Sequence, residues 1–371
     1  MKVMNALIEN FRHIERLELN FSDSVGRVRD ISVLVGPNTS GKTTVLDALA
    51  LGLGIITELY SIRPGLTLTP PSIVRRGTLQ ARVTCCVRFS PEEIETTRKL
   101  YRLSESKQAI PDVEEATVTW EYPDRRGQYS TGYIRCRPRE AWHLFKGRIK
   151  VARLLSTGRL DWSWFARVGG VFTFDQQRTG MGKTIRREIW DIIHRGGNEG
   201  EIDERYTTDP RTILLALAVQ SLLPPVDESQ SVDESQFDQF KRVQEQYAEI
   251  CTPRRIKGAA RDELGQPELI FTDGTYEYYY DGLSSGEQML LLFLIRMVTE
   301  HVHQSIVLVD EIELHQHPLW QRKLLYLLPR IGQNNQIIAT THSSYLRDVL
   351  PREAIIDLGA LGDLSGQKEH G

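Results

Sequence analysis

The sequence is poor in cysteine, has no long apolar run and carries almost no excess of charge of either sign. The spacing of its four cysteines among 371 residues fits neither a zinc site nor a small disulfide framework. Four such cysteines are typical of a cytoplasmic protein whose thiols are free. The absence of any run of about 18 apolar residues predicts no membrane span and no membrane partner. Because 46 basic and 49 acidic residues leave a net charge of −3, a uniformly basic nucleic-acid-binding surface is excluded, whereas a local basic groove is not.

What is present is the composition of a large globular protein. Hydrophobic residues make up 40% and charged residues 26% of the chain, so extensive disorder is excluded and a sizeable core can be buried. Short apolar stretches at Ile31–Val35, Ile306–Val309 and Gln336–Thr340 are typical of central parallel strands, and those at residues 3–9 and 14–21 predict a hairpin. The other predicted elements are strands at 79–89, 116–122, 129–136 and 170–174, helices at 42–53, 91–103, 183–193, 211–223, 236–250, 287–302 and 318–331, and a hairpin over 268–280.

A glycine-rich stretch follows the first of the buried strands. Gly36-x4-Gly41-Lys42-Thr43 satisfies the phosphate-binding pattern G-x4-G-K-[ST] and lies between a strand and a helical stretch, as that pattern requires. Small residues let backbone amides close around phosphate oxygens, Lys42 adds charge there, and the Thr43 hydroxyl is a ligand for Mg²⁺. A glycine-rich turn without a ligand is the alternative. The predicted nucleotide-binding residues of this stretch are Gly36, Pro37, Asn38, Thr39, Ser40, Gly41, Lys42, Thr43 and Thr44.

Two carboxylates, those of Asp310 and Glu311, follow the buried strand Ile306–Val309. In a parallel sheet this strand end lies beside the phosphate loop, so Asp310 is predicted to hold Mg²⁺, directly or through water. Glu311 is predicted to be the general base that activates the attacking water. A strand capped by a solvated acidic turn is the alternative.

The segment Leu283–Gln288, with the sequence LSSGEQ, lies between these two motifs. A serine and a glycine at the start of a helix form an anion-binding N-terminus. An ordinary capped helix, with Ser284 and Glu287 as a capping box, is the alternative. The order of the three motifs along the chain favours the anion-binding role.

Together these motifs resemble those of ABC-type ATPases of the SMC/RecF/OLD-like branch, the AAA family ATPases of bacterial antiphage defence, including the ATPase subunits of Septu, retron and PARIS-like systems. LIENFRHIERLELNF is similar to the N-terminal hairpin of that branch, and LVGPNTSGKTTVLDAL to its Walker A region. LSSGEQ, LVDEIELHQHP and IIATTHS are similar to its signature, Walker B and switch-histidine regions. The similarity covers the two ends of the chain, and Ile312 stands where many relatives have proline.

The resemblance implies an α/β fold, that of a P-loop NTPase of the ABC/SMC-type head, with an N-terminal antiparallel β subdomain and an inserted helical subdomain. Two such heads sandwich two ATP molecules with Mg²⁺. In that arrangement Ser285 and Gly286, flanked by Ser284 and Glu287 of the same signature, would contact the γ-phosphate of ATP bound by the partner's Lys42.

The resemblance also assigns roles to residues outside these motifs. His342 would be the switch histidine, which acts on the γ-phosphate together with Lys42 and Glu311. Gln176 or Gln177 would be the Q-loop residue that completes Mg²⁺ coordination, with the register between them open. Arg12 stands where relatives carry a phosphate-contacting arginine.

The predicted organisation is an N-terminal lobe (residues 1–180), a helical insert (181–265) and a C-terminal lobe (266–371). Since few residues follow His342, we expect no nuclease domain of the OLD type here and instead a separate effector, a nuclease or toxin. The predicted function is that of a cytoplasmic ATPase that dimerises head-to-head on ATP and controls this effector in an antiphage defence complex. The alternative is a RecF-like DNA-repair ATPase that binds DNA through the basic segments Arg135–Arg139 and Arg254–Arg261.

Overall fold

The computed structural model describes residues 1–57, 70–106, 108–123, 132–175, 209–222, 239–313 and 317–359. The strands are, in chain order, β1 (Lys2–Phe11), β2 (Ile14–Asn20), β3 (Ile31–Val35), β4 (Ala81–Arg88), β5 (Glu115–Tyr122), β6 (Tyr133–Arg137), β7 (Val171–Phe174), β8 (Arg255–Arg261), β9 (Pro267–Thr272), β10 (Glu277–Tyr279), β11 (Ile306–Val309), β12 (Gln336–Thr340) and β13 (Ile355–Asp357). The α-helices are α1 (Lys42–Thr57), α2 (Pro70–Ile73), α3 (Pro91–Leu103), α4 (Gly147–Leu155), α5 (Pro210–Leu222), α6 (Gln239–Cys251), α7 (Ser285–Thr299), α8 (Pro318–Leu327) and α9 (Ser344–Val349). Short 3₁₀ helices lie at Arg139–Lys146, Trp162–Arg167, Tyr280–Gly282, Leu328–Arg330 and Arg352–Ala354.

The first sheet is antiparallel, comes from the N-terminal part of the chain and has the strand order β2-β1-β4-β5-β6. Side chains of β4 and β5 alternate along the strand between buried and less buried positions, because successive residues point to opposite faces of a strand. The buried face includes Val83 of β4 and Trp120 of β5, which share one hydrophobic core with α1. The N-terminal antiparallel β subdomain implied by the resemblance is therefore confirmed.

The second sheet is parallel and has the strand order β13-β3-β12-β11-β7. β3 comes from the start of the chain, β7 from its middle, and β11, β12 and β13 from its C-terminal part. All four residues of β11 and all five of β12 are buried, as expected for strands covered on both faces. The sheet therefore forms only when distant parts of the chain come together.

The two faces of the parallel sheet belong to different hydrophobic cores. On β11, Ile306 and Leu308 pack into the core that contains α1 and the antiparallel sheet. Val307 and Val309 pack into the second core, with helices α5 to α8. Helix α1 is thus held between two sheets, and the loop that precedes it has a rigid support on both sides.

A third, small antiparallel sheet has the strand order β10-β9-β8 and packs into the second core through Ile256, Leu269 and Phe271. The segment 254–261, described above as a basic segment, therefore consists largely of strand β8. Because β8 pairs with β9, the predicted domain boundary between residues 265 and 266 divides a sheet. Val243 of α6 and Ile256 of β8 lie in the same core as α7, and the division of the chain into lobes stays a prediction.

Most predicted element types agree with the structure, and the strands β3, β11 and β12 and the helix α3 have the predicted bounds. The segment 141–161, for which the sequence indicated no element, contains a 3₁₀ helix and α4. Strand β13 and helix α9 were not predicted, because three and six residues carry too little periodicity to be recognised. The predicted helix at 183–193 lies outside the described residues. No helix in the described part of the chain has the length and apolar character needed to cross a membrane.

Candidate nucleotide-binding site

The phosphate loop turns sharply between β3 and α1. Gly36, Thr39 and Gly41 have positive φ angles of 156°, 72° and 90°, a conformation that costs little for the two glycines and more for the β-branched Thr39. A Cβ atom on Gly36 would lie 2.6 Å from Ser40 Oγ, so a larger residue would displace Ser40. Helix α1 begins at Lys42, and the first amides of a helix have no partner inside it, which leaves them available to an anion.

The Lys42 ammonium lies within the loop. Its Nζ donates hydrogen bonds to the carbonyl oxygens of Gly36 (2.8 Å) and Pro37 (3.0 Å), and the residue is only 4% exposed. Burial lowers the pKa of Lys42, while the carboxylates that follow β11 act in the opposite direction. The loop therefore holds a cation with little solvent around it at the position where the sequence predicts phosphate.

Asp310 connects three elements at the carboxyl edge of the parallel sheet. Thr43 Oγ1, on α1, lies 3.0 and 3.1 Å from its two carboxylate oxygens, and Thr340 Oγ1, on β12, donates to Oδ1 at 2.7 Å. The contact with Thr340 follows from the strand register, because Val309 pairs with Ala339 and the next residues are side by side. The structure thus brings the predicted Walker A threonine and Walker B aspartate into direct contact.

Glu311 leaves the strand in the left-handed region, with φ 47°. For a residue other than glycine this costs of the order of 1–3 kcal/mol, and such residues concentrate at functional sites. The Glu311 N–H donates to Thr340 Oγ1 at 2.8 Å, and its Oε1 lies 3.7 Å from Nε2 of His342. The carboxylate of Glu313 accepts a hydrogen bond from the His342 backbone N–H. The predicted general base and the predicted switch histidine are therefore adjacent.

The pair formed by Thr43 and Asp310 fits a magnesium site. Two ligands on adjacent vertices of an octahedron with bonds of about 2.1 Å are about 3 Å apart. The Thr43 hydroxyl lies at this separation from both Asp310 carboxylate oxygens, at 3.0 and 3.1 Å. Mg²⁺ is commonly held by one or two carboxylates together with substrate phosphates and water. Within the described ranges, no group of three or more His, Cys, Asp or Glu side chains could hold a metal ion.

The predicted Q-loop residues Gln176 and Gln177 lie outside the described residues. The strand that precedes them is described: Phe174 of β7 pairs with Val309, and its carbonyl accepts a hydrogen bond from the Asp310 N–H at 2.8 Å. The chain thus leaves β7 beside Asp310, which is where a Q-loop would begin. The role of either glutamine stays a prediction.

The LSSGEQ segment opens helix α7 with a capping box. Ser284 Oγ accepts from the Glu287 N–H, and the Glu287 carboxylate accepts from the N–H (3.0 Å) and hydroxyl (2.7 Å) of Ser284. Glu287 also accepts from the Tyr247 hydroxyl at 2.8 Å and lies 2.6 Å from the Arg254 guanidinium. Burial alone would raise the pKa of Glu287, but the hydrogen bonds from these three residues outweigh it and hold that pKa below its ordinary value. The box leaves Ser285 exposed at the helix start, so capping does not exclude anion binding.

Two arginines of the predicted DNA-binding segments already have acidic partners. Arg254 pairs with Glu287, and its guanidinium also lies 5.7 Å from the centre of the Trp320 ring. Arg135 forms an ion pair with Glu121. These pairings reduce the charge that both segments present, which weakens the RecF-like alternative.

Arg12 lies beside the helix that follows the phosphate loop. Its Nη1 is 2.7 Å from Asp47 Oδ2 on α1, and its Nε donates to the Ser72 carbonyl at 3.0 Å. The structure therefore joins Arg12 to α1, and its contact with phosphate stays a prediction.

Two protein families match separate parts of the chain. Residues 1–53, which include the phosphate loop, match a family described as "AAA ATPase domain". Residues 203–348, which include the signature, the acidic pair and His342, match one described as "AAA domain, putative AbiEii toxin, Type IV TA system". Both parts of the predicted site thus match AAA families, which confirms the interpretation of the chain as an ATPase.

Known proteins that are similar in sequence include a Septu protein and a retron ATPase. Septu protein PtuA of Bacillus thuringiensis is 32% identical over 140 residues, which is 34% of this chain and 34% of PtuA. Retron Ec83 probable ATPase of Escherichia coli is 23% identical over 389 residues, covering 92% of this chain and 69% of that protein. The chain therefore matches only about a third of the length of PtuA.

Solved structures of similar fold include SMC heads. An SMC head bound to the C-winged helix domain of ScpA aligns with a TM-score of 0.54 and 13% identity over 96% of this chain and 94% of that one. The chain has an SMC-type ATPase head fold. A second SMC head, derived from Pyrococcus furiosus, with an extended coiled coil and the C-terminal domain of ScpA, gives a TM-score of 0.50 and 12% identity over 96% and 93%. At these identities the likeness concerns the fold alone.

Sequence reasoning missed two residues of this SMC-type head. Thr340 joins the Asp310 carboxylate to the backbone of Glu311, and aligning the two parallel strands by their ends would have revealed it. Tyr247 reaches Glu287 from 40 residues away. No local sequence pattern predicts that contact, because it arises from the packing of α6 on α7.

Replacing Glu287 by glutamine tests the charge at the start of α7. Because its pKa is held below the ordinary value, the ionised form stabilises the fold above the unfolded-state pKa of about 4.3, and this contribution disappears as the pH falls through the lower, folded-state pKa. We expect Glu287→Gln to lower the free energy of unfolding by about 1–3 kcal/mol at neutral pH. Urea titrations should show this difference shrinking only below about pH 4.3.

Glu277→Gln is the matched control, because Glu277 forms an exposed ion pair with Lys257 and such pairs contribute little. Its effect should stay under about 1 kcal/mol at neutral pH. A Glu287→Gln effect that does not change with pH would contradict the role given to the charge.

Proposed function

We propose that this chain hydrolyses ATP to ADP and phosphate as one of two paired heads, and that it controls a separate effector in an antiphage defence complex. The observation that supports hydrolysis is a run of contacts beside the phosphate loop. It gathers two hydroxyls, two carboxylates and an imidazole at one edge of one sheet, where they can act in phosphoryl transfer to water. The run consists of Thr43, Asp310, Thr340, Glu311 and His342.

The phosphate loop provides the anchorage for the triphosphate. The Ser40 hydroxyl is buried and has no hydrogen-bond partner among the described residues, and leaving such a group unpaired costs about 1–3 kcal/mol. A phosphate oxygen in the loop relieves that cost. The Lys42 ammonium, bonded to two loop carbonyls, exchanges them for phosphate oxygens of higher charge.

Glu311 and His342 act on the attacking water and the γ-phosphate. The side chain of Glu311 is 22% exposed and that of His342 38% exposed, so water reaches both. The left-handed backbone at Glu311 turns its carboxylate out of the strand, and its N–H is fixed by Thr340. Glu311 then accepts the proton of the water, while His342 orients the γ-phosphate. Thr43 and Asp310 would hold Mg²⁺, which would neutralise part of the phosphate charge.

A second copy completes the site through the signature. The signature lies at the start of α7, whose buried face belongs to the core on the side of the parallel sheet away from α1. Ser284 and Glu287 are engaged in the capping box, whereas Ser285 is exposed. A helix N-terminus with an exposed serine attracts phosphate, and head-to-head pairing supplies the phosphate of the other copy.

The proposed defence role is supported by the similar proteins. One is named Septu protein PtuA and the other Retron Ec83 probable ATPase. Because the chain spans about a third of PtuA, the activity and partners of that whole protein come to this chain only as proposals. The effector we propose is a nuclease or toxin carried by a separate chain.

Lys42→Ala tests nucleotide binding. Removing the ammonium deletes charge-assisted hydrogen bonds to the β- and γ-phosphates, so we expect ATP affinity to fall by about 100-fold. Isothermal titration with ATP and Mg²⁺ measures it. The control is Lys99→Ala, on the exposed side of α3, which should bind as the wild type does. Unchanged affinity in Lys42→Ala would contradict the assignment of the phosphate loop.

Glu311→Gln tests hydrolysis and pairing together. Without the general base we expect the hydrolysis rate to fall by about 10²–10⁴-fold while ATP still binds. ATP should then trap a dimer, seen by size-exclusion chromatography with light scattering. The double variant Lys42→Ala/Glu311→Gln is the control and should remain unpaired. Wild-type turnover in Glu311→Gln would rule out Glu311 as the base, and slow turnover without a dimer would rule out ATP-driven pairing.

Co-expression with the flanking genes tests the effector. We expect an affinity-tagged chain to retain the product of a neighbouring gene through purification, and mass spectrometry to identify it. Deleting that gene should abolish protection against phage. A chain that purifies alone and protects cells without its neighbours would overturn this part of the proposal.

A further inference from the structure

A cavity lies beside the last strand of the antiparallel sheet in the described part of the chain. Strand β6 is the last in the order β2-β1-β4-β5-β6. The cavity, of about 870 Å³, is lined by β6 and the 3₁₀ helix Arg139–Lys146. That volume is in the range of small-molecule sites, about 300–1,000 Å³. The lining side chains that matter below are Tyr133, Arg135, Arg137, Arg139, Trp142 and His143.

Two arginines of the described lining give the cavity a positive charge that its carboxylate, that of Glu140, offsets only in part. Arg137 and Arg139 are exposed, and neither side chain makes a hydrogen bond or an ion pair with any residue that the structure describes. Arg135 is different, because it is paired with Glu121. The acidic residue in the lining is Glu140, so the unpaired arginines exceed it by one charge. An anion is therefore the ligand that this charge favours.

His143 also lines the cavity, and two lysines lie close enough to act on its ring. Burial lowers the pKa of His143, Lys150 and Lys146 lower it further, and Glu140 opposes them only in part. His143 Nδ1 lies 3.1 Å from the Tyr101 hydroxyl, which fixes the ring. The lowered pKa of His143 favours its neutral ring, and the nearby Lys146 and Lys150 add a positive potential that favours an anion.

Two aromatic rings distinguish this cavity from a plain anion site. Lys146 Nζ lies 5.0 Å from the centre of the Trp142 ring, and the Arg135 guanidinium lies 5.5 Å from that of Tyr133. Aromatic rings and guanidinium groups stack on the flat faces of nucleobases, and unpaired arginines bind the attached phosphates. We propose that this cavity binds a nucleoside phosphate, either as a free nucleotide or as a unit of a single-stranded nucleic acid.

The test compares two double variants with the same change of charge. Arg137→Glu/Arg139→Glu reverses the cavity arginines, and Arg330→Glu/Arg352→Glu reverses two exposed arginines elsewhere on the head. The probe is a fluorescein-labelled single-stranded oligothymidylate, and its binding to the full chain is followed by anisotropy. We expect the cavity variant to bind at least about tenfold more weakly, with a salt dependence flatter by about 1.4 in log–log slope. The control should bind within about threefold of the wild type.

Competition distinguishes the two sources of the ligand. AMP lacks the β- and γ-phosphates that the phosphate loop holds, so it reports on the cavity. Displacement of the probe by AMP at a concentration close to the oligonucleotide affinity indicates a free nucleotide, and displacement only by a longer strand indicates nucleic acid; both support the inference. Equal binding by the two double variants, or displacement by poly-glutamate as effective as by the oligonucleotide, would overturn it.

Trp142 tests whether a base is recognised. Trp142→Phe keeps an aromatic face and should bind the oligonucleotide nearly as the wild type does, whereas Trp142→Leu should lose about tenfold. Inorganic polyphosphate, which has no base, should bind both variants equally. Thermal unfolding midpoints of all variants show that the fold is intact. Equal oligonucleotide binding by Trp142→Phe and Trp142→Leu would count against stacking and overturn the assignment to a nucleoside phosphate.

Discussion

The hydrogen bonds to the Asp310 carboxylate are the contacts on which the arrangement of the site depends. Thr43 at the start of α1 and Thr340 at the end of β12 both donate to it. A single buried side chain therefore joins the phosphate loop, the acidic strand and the strand that precedes His342. Thr43 and Asp310 are 267 residues apart in the sequence and Asp310 and Thr340 only 30, and the parallel pairing of β3, β12 and β11 brings them to one sheet edge.

The helices on the two sides of the parallel sheet have different roles in the site. Helix α1 lies between the sheets and supports the phosphate loop, while α7 lies on the other side and presents the signature. Arg296, fully buried on α7, donates to the Thr173 carbonyl, and its guanidinium lies 4.2 Å from the centre of the Phe174 ring. The signature helix is thus packed on the strand that ends beside Asp310, so the two cannot move independently without breaking buried contacts.

Several features of the site follow from short patterns. The glycines, Lys42, Asp310 and Glu311 lie in motifs whose residue types have direct chemical reasons, and the structure gathers them at one strand edge. The basic segments were a poorer guide, since Arg254 pairs with Glu287 and Arg135 with Glu121. A count of charges along the sequence cannot tell a paired arginine from a free one, because the partners come from other elements. For the same reason the sequence showed no sign of Tyr247, whose partner Glu287 belongs to another helix.

The sequence by itself determined the ATPase motifs, their order and the buried parallel strands, because each depends on a few neighbouring residues with a local chemical or periodic signal. Only the tertiary structure decided which side chains meet. It brought the Thr340 hydroxyl to the Asp310 carboxylate. It surrounded Glu287 with hydrogen-bond donors from Ser284, Tyr247 and Arg254. Beside a cavity, it left the side chains of Arg137 and Arg139 without a partner in the described part of the chain. These outcomes depend on strand register and helix packing between distant segments, and no local pattern carries that information.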